Sequence, residues 1–356
     1  MRRATRKNTD LRPVRLEQAP VRAIKQLAKR MDFVCLTKME IGTIENAMKN
    51  SVLRCLTSAL MASALAAAPL PAPSGSNPGH AFVCTDYTQG KVFVVSPEGK
   101  IEWEYDGATN ANDIWVLPGG NLLFNTGHGV KEVTRDRRVV FHYDSASEIY
   151  ACQRLADGNT FIAECTSGRL LEVAPDGKIA KELRLLPEGK SGGHAYMRNA
   201  RRLDNGNYLV AHYGDQVVRE YDPRGKMVRE IPAAGGPHSV VRLPNGNTLI
   251  ACADGPGGSR VFEVDPAGKT VWQVQGNELP GVSLKFMAGL QRLPNGNTVM
   301  ANWLGHNQIG AAPDLIEVTP DKRVVWTFYG RQTIQTISSV ELLDLPASAA
   351  AQPVLH

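Results

Sequence analysis

The chain has 356 residues, of which 43% are hydrophobic and 21% are charged, and it contains 33 Gly and 22 Pro. This length suits one large all-β domain or two ordinary domains. The formal net charge of +5 is concentrated at the N-terminus, because residues 1–47 carry eleven Lys or Arg against five Asp or Glu, whereas residues 80–356 hold 27 basic and 30 acidic residues. The basic balance is therefore no sign of a nucleic-acid partner for the rest of the chain, and we expect none.

The N-terminal segment predicts export. Residues 1–47 show no strand or repeat pattern, which is typical of a misassigned upstream start or of a disordered basic leader. From Met48 onward, two basic residues precede a 13-residue apolar stretch, and a small-x-small site ending at Ala66 precedes a Pro-rich spacer at 69–79. Residues 48–68 have the form of a secretory signal peptide, with a short buried helix as the alternative. The apolar stretch is too short to span a bilayer, so we expect a periplasmic or extracellular protein without a stable membrane span.

Four cysteines follow this segment: Cys84, Cys152, Cys165 and Cys252. None of them has C-x-x-C spacing, so no zinc or redox motif is indicated. Counting about the intervening turn places Cys152 opposite Ala163 and Cys165 opposite Tyr150, which excludes a direct disulfide. We therefore expect buried free thiols.

Two turn motifs recur along the remaining sequence. The first has the form L-x-x-G-N and occurs at 117–121, 155–159, 203–207, 243–247 and 293–297. The second resembles P-x-G-K and occurs at 97–100, 135–138, 175–178, 223–226, 266–269 and 320–323. Apolar runs flank both turns, which is typical of β-hairpins. Each repeat thus has two hairpins, or four strands A to D, at a period of about 45 residues, which is typical of a β-propeller blade.

The turn counts predict how the ring closes. There are six C–D turns but only five A–B turns, so one strand A must come from elsewhere. The segment 339–343 has the pattern of a strand A without a following B, and 80–85 has the pattern of a strand B without a preceding A. Pairing them would complete a sixth blade and remove two exposed sheet edges. We therefore predict an all-β, six-bladed β-propeller of four-stranded blades over residues 80–346, followed by a tail at 347–356.

The motifs L-P-N-G-N-T-L-I at 243–250 and V-x-E-V-D-P-x-G-K-x-V-W at 261–272 resemble the bacterial secreted propellers described as PQQ-like, and also the propeller of bacterial arylsulfotransferases. The resemblance covers about residues 80–346 and rests on turns and core strands, so it implies fold more than function. Quinone-binding propellers have eight blades with tryptophan docking motifs, and this chain lacks both. PQQ is therefore not expected, and no other cofactor is predicted.

The lengths of the loops indicate which face carries function. The A–B and C–D turns are uniform, whereas the B–C and D–A connections vary, as at 185–199, 276–289 and 303–314. A binding site needs different side chains around the ring, so we place it on the varied face, at the mouth of the central channel. Candidates just before strand A or just after strand B are Asn112, Tyr150, Glu164, His194, Arg198, His212, His238, Asp254, Lys285, Trp303 and His306. The remaining Lys and Arg of the blades are interpreted as ordinary solvated strand faces.

The first functional hypothesis is a binding module. Arg198 and Lys285 would pair with a carboxylate or sulfate of a polar or anionic small molecule. Trp303 and Tyr150 would stack on apolar sugar faces if the ligand is a carbohydrate.

The second hypothesis is an enzyme. The arylsulfotransferase resemblance implies a sulfate ester as substrate and His238 or His194 as the nucleophile. A His base acting with Glu164 or Asp254 would instead fit a lyase or hydrolase. A divalent metal held by His and carboxylates stays open, although no close-spaced ligand motif supports it. We expect the imidazole of His238 to be exposed, so that His238→Ala would cost well under about 1 kcal/mol of stability.

Overall fold

The computed structural model describes residues 79–331 and 333–345, and the predicted leader, signal peptide and tail lie outside them, as does the spacer except for Gly79. No helix long and apolar enough to cross a membrane occurs in these described residues. They form twenty-four strands. In chain order these are β1 (Phe82–Asp86), β2 (Lys91–Val95), β3 (Ile101–Asp106), β4 (Ile114–Val116), β5 (Leu122–Thr126), β6 (Gly129–Val133), β7 (Val139–Asp144), β8 (Ile149–Arg154), β9 (Thr160–Glu164), β10 (Arg169–Val173), β11 (Ile179–Arg184), β12 (Ala200–Arg202), β13 (Tyr208–His212), β14 (Val217–Tyr221), β15 (Met227–Pro232), β16 (Pro237–Arg242), β17 (Thr248–Cys252), β18 (Arg260–Val264), β19 (Thr270–Gln275), β20 (Met287–Arg292), β21 (Thr298–Asn302), β22 (Leu315–Val318), β23 (Val324–Phe328) and β24 (Ile337–Leu342).

The strands form six antiparallel sheets of four strands each within the described residues. Blade 1 has the order β24-β1-β2-β3, and blades 2 to 6 take the remaining strands in consecutive groups of four, beginning with β4, β8, β12, β16 and β20. The first strand of each blade is strand A, and strands A of adjacent blades contact one another for most pairs around the ring. The predicted six-bladed β-propeller is confirmed.

The ring closes by pairing the two ends of the described chain. Strand β24 runs antiparallel to β1, with Cys84 opposite Val340 and Phe82 opposite Leu342. Both partners are buried over their whole length, so the pair leaves no solvated edge between them. The predicted closure is therefore confirmed, with strand bounds shifted by one or two residues.

Six hydrophobic clusters hold the blades of the described chain together, one at each blade junction. The cluster between blades 6 and 1, for example, joins Val299 and Leu315 to Phe82 and Val340. The alternating apolar residues of each strand thus face the neighbouring sheets, and the core is a ring of inter-blade layers.

The L-x-x-G-N turn has a structural reason for its last two residues. In the turn at 243–247, Gly246 has φ +84°, and its amide donates to the carbonyl of Leu243 at 2.9 Å. A side chain there would be strained. Asn247 donates from Nδ2 to Glu263 Oε1 on strand C at 2.5 Å, so the motif ties one hairpin of the blade to the other.

An Arg immediately before the turn motif joins adjacent blades. We call each such contact a junction pair: it links a Glu of strand C to the Arg that ends strand A of the next blade. The four pairs among the described residues are Glu132–Arg154, Glu172–Arg202, Glu220–Arg242 and Glu263–Arg292, at 2.6 to 3.1 Å. The interpretation of the blade arginines as solvated strand faces is wrong for these four, because each carboxylate is at most about one-seventh exposed and holds its Arg across the junction.

The four cysteines are free and buried, as predicted. The predicted register of their hairpin is wrong by one residue, because Arg154 pairs with Thr160 directly at the turn and every pair from there to Ala151 follows that register. Cys152 lies opposite Ile162, and Cys165 follows the end of β9.

Candidate functional site

A cavity of about 340 Å³ opens at the centre of the ring, among residues of the B–C loops and D–A connections. We call it the mouth cavity. Its volume lies in the range of small-molecule sites, and its wall mixes aromatic rings with a few polar side chains. Its lining side chains come from the varied face that the loop lengths indicated.

Five side chains of the mouth cavity occupy one equivalent position in successive blades. They lie four residues before the last residue of strand A and are Asn112, Tyr150, Arg198, His238 and Ala288. Strand A is innermost, so this position brings one side chain per blade to the centre. The sixth equivalent, Ser338, donates its hydroxyl to the carbonyl of Ala111 at 2.6 Å and does not line the cavity. Each blade thus contributes a different group from the same position.

One side of the cavity is an aromatic wall formed by Tyr87, Phe286, Trp303 and His306. The Trp303 ring lies 5.0 Å from that of Phe286 and 4.9 Å from that of His306, in edge-to-face contacts, and 5.7 Å from that of Tyr87. Gly305 packs against the indole so closely that a Cβ there would lie 2.0 Å from Trp303 Cη2. The Trp303 side chain is therefore held in place before any ligand arrives.

Arg198 supplies a positive charge on the opposite side. Its side chain is 7% exposed, and its guanidinium carbon lies 4.5 Å from the ring centroid of Tyr150 and 4.7 Å from that of Tyr213. Nη1 donates to the carbonyl oxygen of His194. In the part of the chain that the structure describes, no carboxylate forms an ion pair with Arg198, so cation–π contacts provide its main electrostatic compensation.

A small network fixes Tyr213 against Arg198. The Tyr213 hydroxyl donates to Asp254 Oδ2 at 3.1 Å, and Asp254 Oδ1 accepts from the amide of Gly236 at 2.7 Å. A side chain on Gly236 would meet Tyr213 Cε2 at 2.5 Å, so the ring needs a glycine at this position. Burial, and then Asp254, raise the pKa of Tyr213 to about 12, which keeps the phenol protonated.

His238 is a neutral imidazole on the floor of the mouth cavity. It is 7% exposed and packs edge-on against Phe286, with ring centroids 5.4 Å apart. Burial, followed by the positive charge of Arg198, lowers the pKa of His238 to about 3. Its side chain makes no hydrogen bond to any described residue, so its polar atoms are left to a ligand or water. The expectation of an exposed imidazole is wrong, because Phe286 covers the ring.

Among the described histidines that line the mouth cavity, His194 alone contacts a carboxylate, that of Glu148. Its Nδ1 lies 2.9 Å from Glu148 Oε2 and 3.2 Å from the hydroxyl oxygen of Tyr150. A carboxylate only accepts, so the contact with Glu148 places the proton on Nδ1 and leaves Nε2 unprotonated when the ring is neutral. Burial raises the pKa of Tyr150 well above its usual range, so its phenol stays protonated.

A buried ion pair lies next to the mouth cavity. Arg201 donates to both carboxylate oxygens of Asp113 at 2.7 and 2.8 Å, and both side chains are almost fully buried. A space of about 10 Å³, lined by Asp113, Asn199, Arg201 and His238 among others, separates this pair from the mouth cavity. That volume is about the size of one water molecule.

Of the eleven residues predicted from the sequence, seven line the mouth cavity: Asn112, Tyr150, His194, Arg198, His238, Trp303 and His306. Asp254 does not line it but positions Tyr213. Lys285 is exposed and also does not line it, and its backbone amide donates to Asn302 Oδ1 at 2.7 Å.

The other two predicted residues are buried inside their blades. Glu164 is fully buried and binds Arg169 through both carboxylate oxygens, at 2.7 and 2.9 Å. His212 is also fully buried, and its Nε2 lies 2.9 Å from the hydroxyl oxygen of Tyr221. Burial lowers the pKa of His212 to about 4, so it is a neutral packing residue. Both residues end strand B, where the side chain points into the sheet packing rather than toward the centre.

The sequence reasoning missed Tyr87, Tyr213 and Phe286. A signal existed for the two tyrosines, because Tyr87, Tyr213 and Trp303 each directly follow the last residue of strand B. The sequence pattern indicates only Trp303 as a site residue, because its loop at 303–314 is irregular. Phe286 lies in a long D–A connection whose path no repeat predicts.

Within residues 79–331 and 333–345, no group of three or more His, Cys, Asp or Glu side chains is placed to hold a metal ion. The polar groups that line the mouth cavity are instead one cation, three imidazoles, an amide, three phenols and an indole. A guanidinium surrounded by neutral hydrogen-bonding groups is an arrangement that can hold an anion.

Searches with protein-family models and among curated proteins found no match. Among solved structures, a protein of unknown function from Bacteroides caccae is 27% identical, with a TM-score of 0.67 over 75% of this chain and 99% of that chain. A streptogramin B lyase is 15% identical, with a TM-score of 0.50 over 72% of this chain and 85% of that chain. An identity this low shows the fold alone. These structural neighbours are β-propeller proteins, in agreement with the strand topology of the described chain.

Proposed function

We propose that the protein binds an anionic small molecule in the mouth cavity, with Arg198 as the anchor for the negative charge. The observation that carries this proposal is the buried guanidinium of Arg198, which contacts the rings of Tyr150 and Tyr213 and has no carboxylate partner among the described residues. A buried cation without a counter-ion is costly, and an acid group of a ligand would supply one. The planar guanidinium suits bidentate contact with a carboxylate or sulfate.

The other polar groups support binding of a neutral part of the same molecule. His238 is uncharged, so it adds neither attraction nor repulsion to an acid, and it offers one donor and one acceptor. Asn112 donates from Nδ2 to the carbonyl of Asn110 at 2.8 Å, which leaves its side-chain oxygen as an acceptor toward the cavity. Ligand selectivity would come from these two side chains and from the aromatic wall. A carbohydrate acid and an aromatic acid both meet these requirements.

The proposal includes export to the periplasm or the outside of the cell. Its basis is the signal-peptide form of residues 48–68, which lie outside the described residues. N-terminal sequencing of secreted material tests it: a mature N-terminus shortly after Ala66 is expected, and retention of residues 1–47 would contradict it.

Ligand-observed NMR titration of the full chain with propionate, sulfate and 3-phenylpropionate tests the binding site. We expect at least one of these anions to bind, and Arg198→Met to weaken it by at least about tenfold, since a hydrogen bond to a charged group contributes about 1.5–3 kcal/mol. Arg224→Met, at an exposed turn, is the matched control and should change nothing. Unchanged affinity in Arg198→Met, or no binding of any of the three anions, would overturn the proposal.

A catalytic role for His238 is the second candidate, favoured by its neutral imidazole beside Arg198. In an arylsulfotransferase-like reaction, an imidazole nitrogen would attack the sulfur of an aryl sulfate, the S–O bond to the aryl group would break, and the leaving phenolate would take the N–H proton of the imidazole. Arg198 would offset the charge on the sulfuryl oxygens. The oxygen of an acceptor phenol would then attack the sulfur, the N–S bond would break, and the proton of the phenol would return to the imidazole. The lyase or hydrolase alternative would use His194 with Glu148, since Glu164 and Asp254 do not line the mouth cavity.

Incubation with 4-nitrophenyl sulfate and phenol separates the two candidates. Release of 4-nitrophenol that depends on the acceptor, and that is lost in His238→Ala, would support sulfuryl transfer. Binding of 4-nitrophenyl sulfate without release of 4-nitrophenol would support the binding function and contradict sulfuryl transfer.

A further inference from the structure

We infer that the ligand of the mouth cavity is an aromatic carboxylate whose ring and acid group lie at opposite ends of the molecule. This inference rests on the proposed function and adds the chemical class of the ligand. It follows from where the charged and the aromatic groups lie around the ring of blades.

The cationic group belongs to one half of the ring. Arg198 precedes strand A of blade 4, Tyr150 lies on strand A of blade 3, and Tyr213 follows strand B of blade 4. Both tyrosine rings contact the guanidinium and Nη1 already donates to the carbonyl of His194, so an acid group would bind through the remaining N–H donors. The anion site is therefore directional.

The aromatic wall belongs to the other half. Phe286, Trp303 and His306 come from blade 6, and Tyr87 follows strand B of blade 1. In a closed ring of six blades, blades 3 and 4 lie across the centre from blades 6 and 1. A single molecule that contacts Arg198 and the aromatic wall must therefore span the mouth cavity, with different chemistry at its two ends.

The chemistry of the wall favours an aromatic ring over a sugar. A sugar ring carries several hydroxyls, and each needs a partner when it leaves water. On the wall, Phe286 has no polar atom and the indole nitrogen of Trp303 is buried without a partner among the described residues, which leaves the Tyr87 hydroxyl and the His306 imidazole as its polar groups. Its rings already meet edge to face, and one more aromatic ring extends that packing favourably.

Four probe compounds test the inference on the unmodified full chain by ligand-observed NMR titration. They are 3-phenylpropionate, propionate (which lacks the ring), 3-phenylpropanol (which lacks the acid) and glucuronate (a sugar acid). We expect 3-phenylpropionate to bind at least about tenfold more tightly than each of the others, since ring burial and aromatic contact add to the charge interaction.

Two variants locate the ring. Trp303→Leu should weaken 3-phenylpropionate by about tenfold and leave propionate unchanged. Trp272→Leu is the matched control, because Trp272 lies on the outer strand β19 and donates its indole N–H to the carbonyl of Pro320, away from the mouth cavity. It should change neither affinity.

The outcomes separate this inference from the proposed function. Equal affinity for 3-phenylpropionate and propionate, or tighter binding of glucuronate, would overturn the aromatic class while leaving anion binding at Arg198 in place. Tight binding of 3-phenylpropanol that survives Arg198→Met would overturn the acid end, and the proposed function with it. The comparison on the unmodified chain decides the ligand class even if Trp303→Leu fails to fold.

Discussion

The two faces of the propeller follow opposite rules. On the face with the A–B and C–D turns, the same contact recurs: four blade junctions each join a Glu of strand C to the Arg that ends the next strand A. On the mouth face, the position four residues earlier on strand A holds an amide, a phenol, a guanidinium, an imidazole, a methyl group and a hydroxyl in the six blades. Two positions on the same strand thus serve different purposes, one repeated and one diversified.

The difference teaches how to separate stability from function in a repeat fold. A group that recurs from one junction to the next stabilises the assembly of blades, because neighbouring junctions have the same packing to satisfy. A group that differs from blade to blade has no such common structural reason, and a set of them around one cavity is typical of a binding site. We therefore expect substitutions on the turn face to change stability, and substitutions at the mouth to change binding.

The largest effect should come from ending the chain at Arg331, which removes a strand that both faces share. Strand β24 carries Ser338 toward the mouth and Leu342 toward the turns, and it pairs with β1 along its length. Without it, β1 becomes an exposed edge and the cluster between blades 6 and 1 opens. We expect loss of cooperative thermal unfolding by circular dichroism, and aggregation on gel filtration. A chain ending at Leu345 is the control, and normal melting of the shorter chain would refute the closure.

Glu220→Ala should lower the free energy of unfolding by about 2–3 kcal/mol without changing ligand affinity. Its carboxylate accepts from Arg242 at 2.7 Å and from Asn207 at 2.6 Å, and both partners would be left without an acceptor. Denaturant unfolding and the NMR titration measure the two quantities. Glu188→Ala, at an exposed position, is the control. A loss of binding in a folded Glu220→Ala protein would break the division between the faces.

His238→Ala should weaken ligand binding by at least about tenfold and lower the free energy of unfolding by about 1–2 kcal/mol. The stability cost arises because the imidazole is buried against Phe286, and the binding cost arises because its ring faces the mouth cavity. His142→Ala, at an exposed position on β7, should change neither quantity. Large destabilisation with unchanged affinity would show that His238 belongs with the structural residues.

The smallest effect concerns the junction between blades 6 and 1, where strand A ends in Leu342 instead of Arg and His80, which precedes strand B, contacts Glu317 at 2.9 Å. The pKa of His80 is raised above its ordinary value of 6.5, mainly by the hydrogen bond to Glu317. Burial of the imidazole opposes this rise, and the charge of Asp344 adds to it. The protonated imidazole therefore stabilises the fold fully below pH 6.5, and the contribution is lost as the pH rises through the folded pKa. Glu317 stays charged in this window, because its own pKa is lowered.

We expect His80→Gln to cost less than about 1 kcal/mol at about pH 5.5 and less still at about pH 8.5. Urea unfolding at the two pH values measures the difference between the variant and the parent chain. Glu220→Ala should show no comparable change between them, because its junction pair contains no histidine. An equal cost of His80→Gln at both pH values would show that its charge contributes nothing to the junction.

Much of this site follows from the repeat, but only for strand A. The offset from the turn motif places Asn112 and His238 at one equivalent position, and the structure brings both to the mouth cavity. The same reasoning failed at the end of strand B, where Glu164 and His212 point into the blades and the next residue points to the centre. A shift of one residue moves a side chain to the other face of a strand, and sequence patterns do not define strand ends that finely.

The sequence by itself determined the architecture, because turn motifs, strand patterns and their counts are local or periodic features. Six C–D turns, five A–B turns and one strand left at each end of the repeats are enough to define the closed ring. Only the tertiary structure decided what the centre holds. Tyr150, Arg198 and Tyr213 belong to separate segments, and their stacking depends on how the blades turn around the ring. The neutral state of His238 likewise depends on burial beneath Phe286 and on the charge of Arg198, which are contacts between blades that no local pattern encodes.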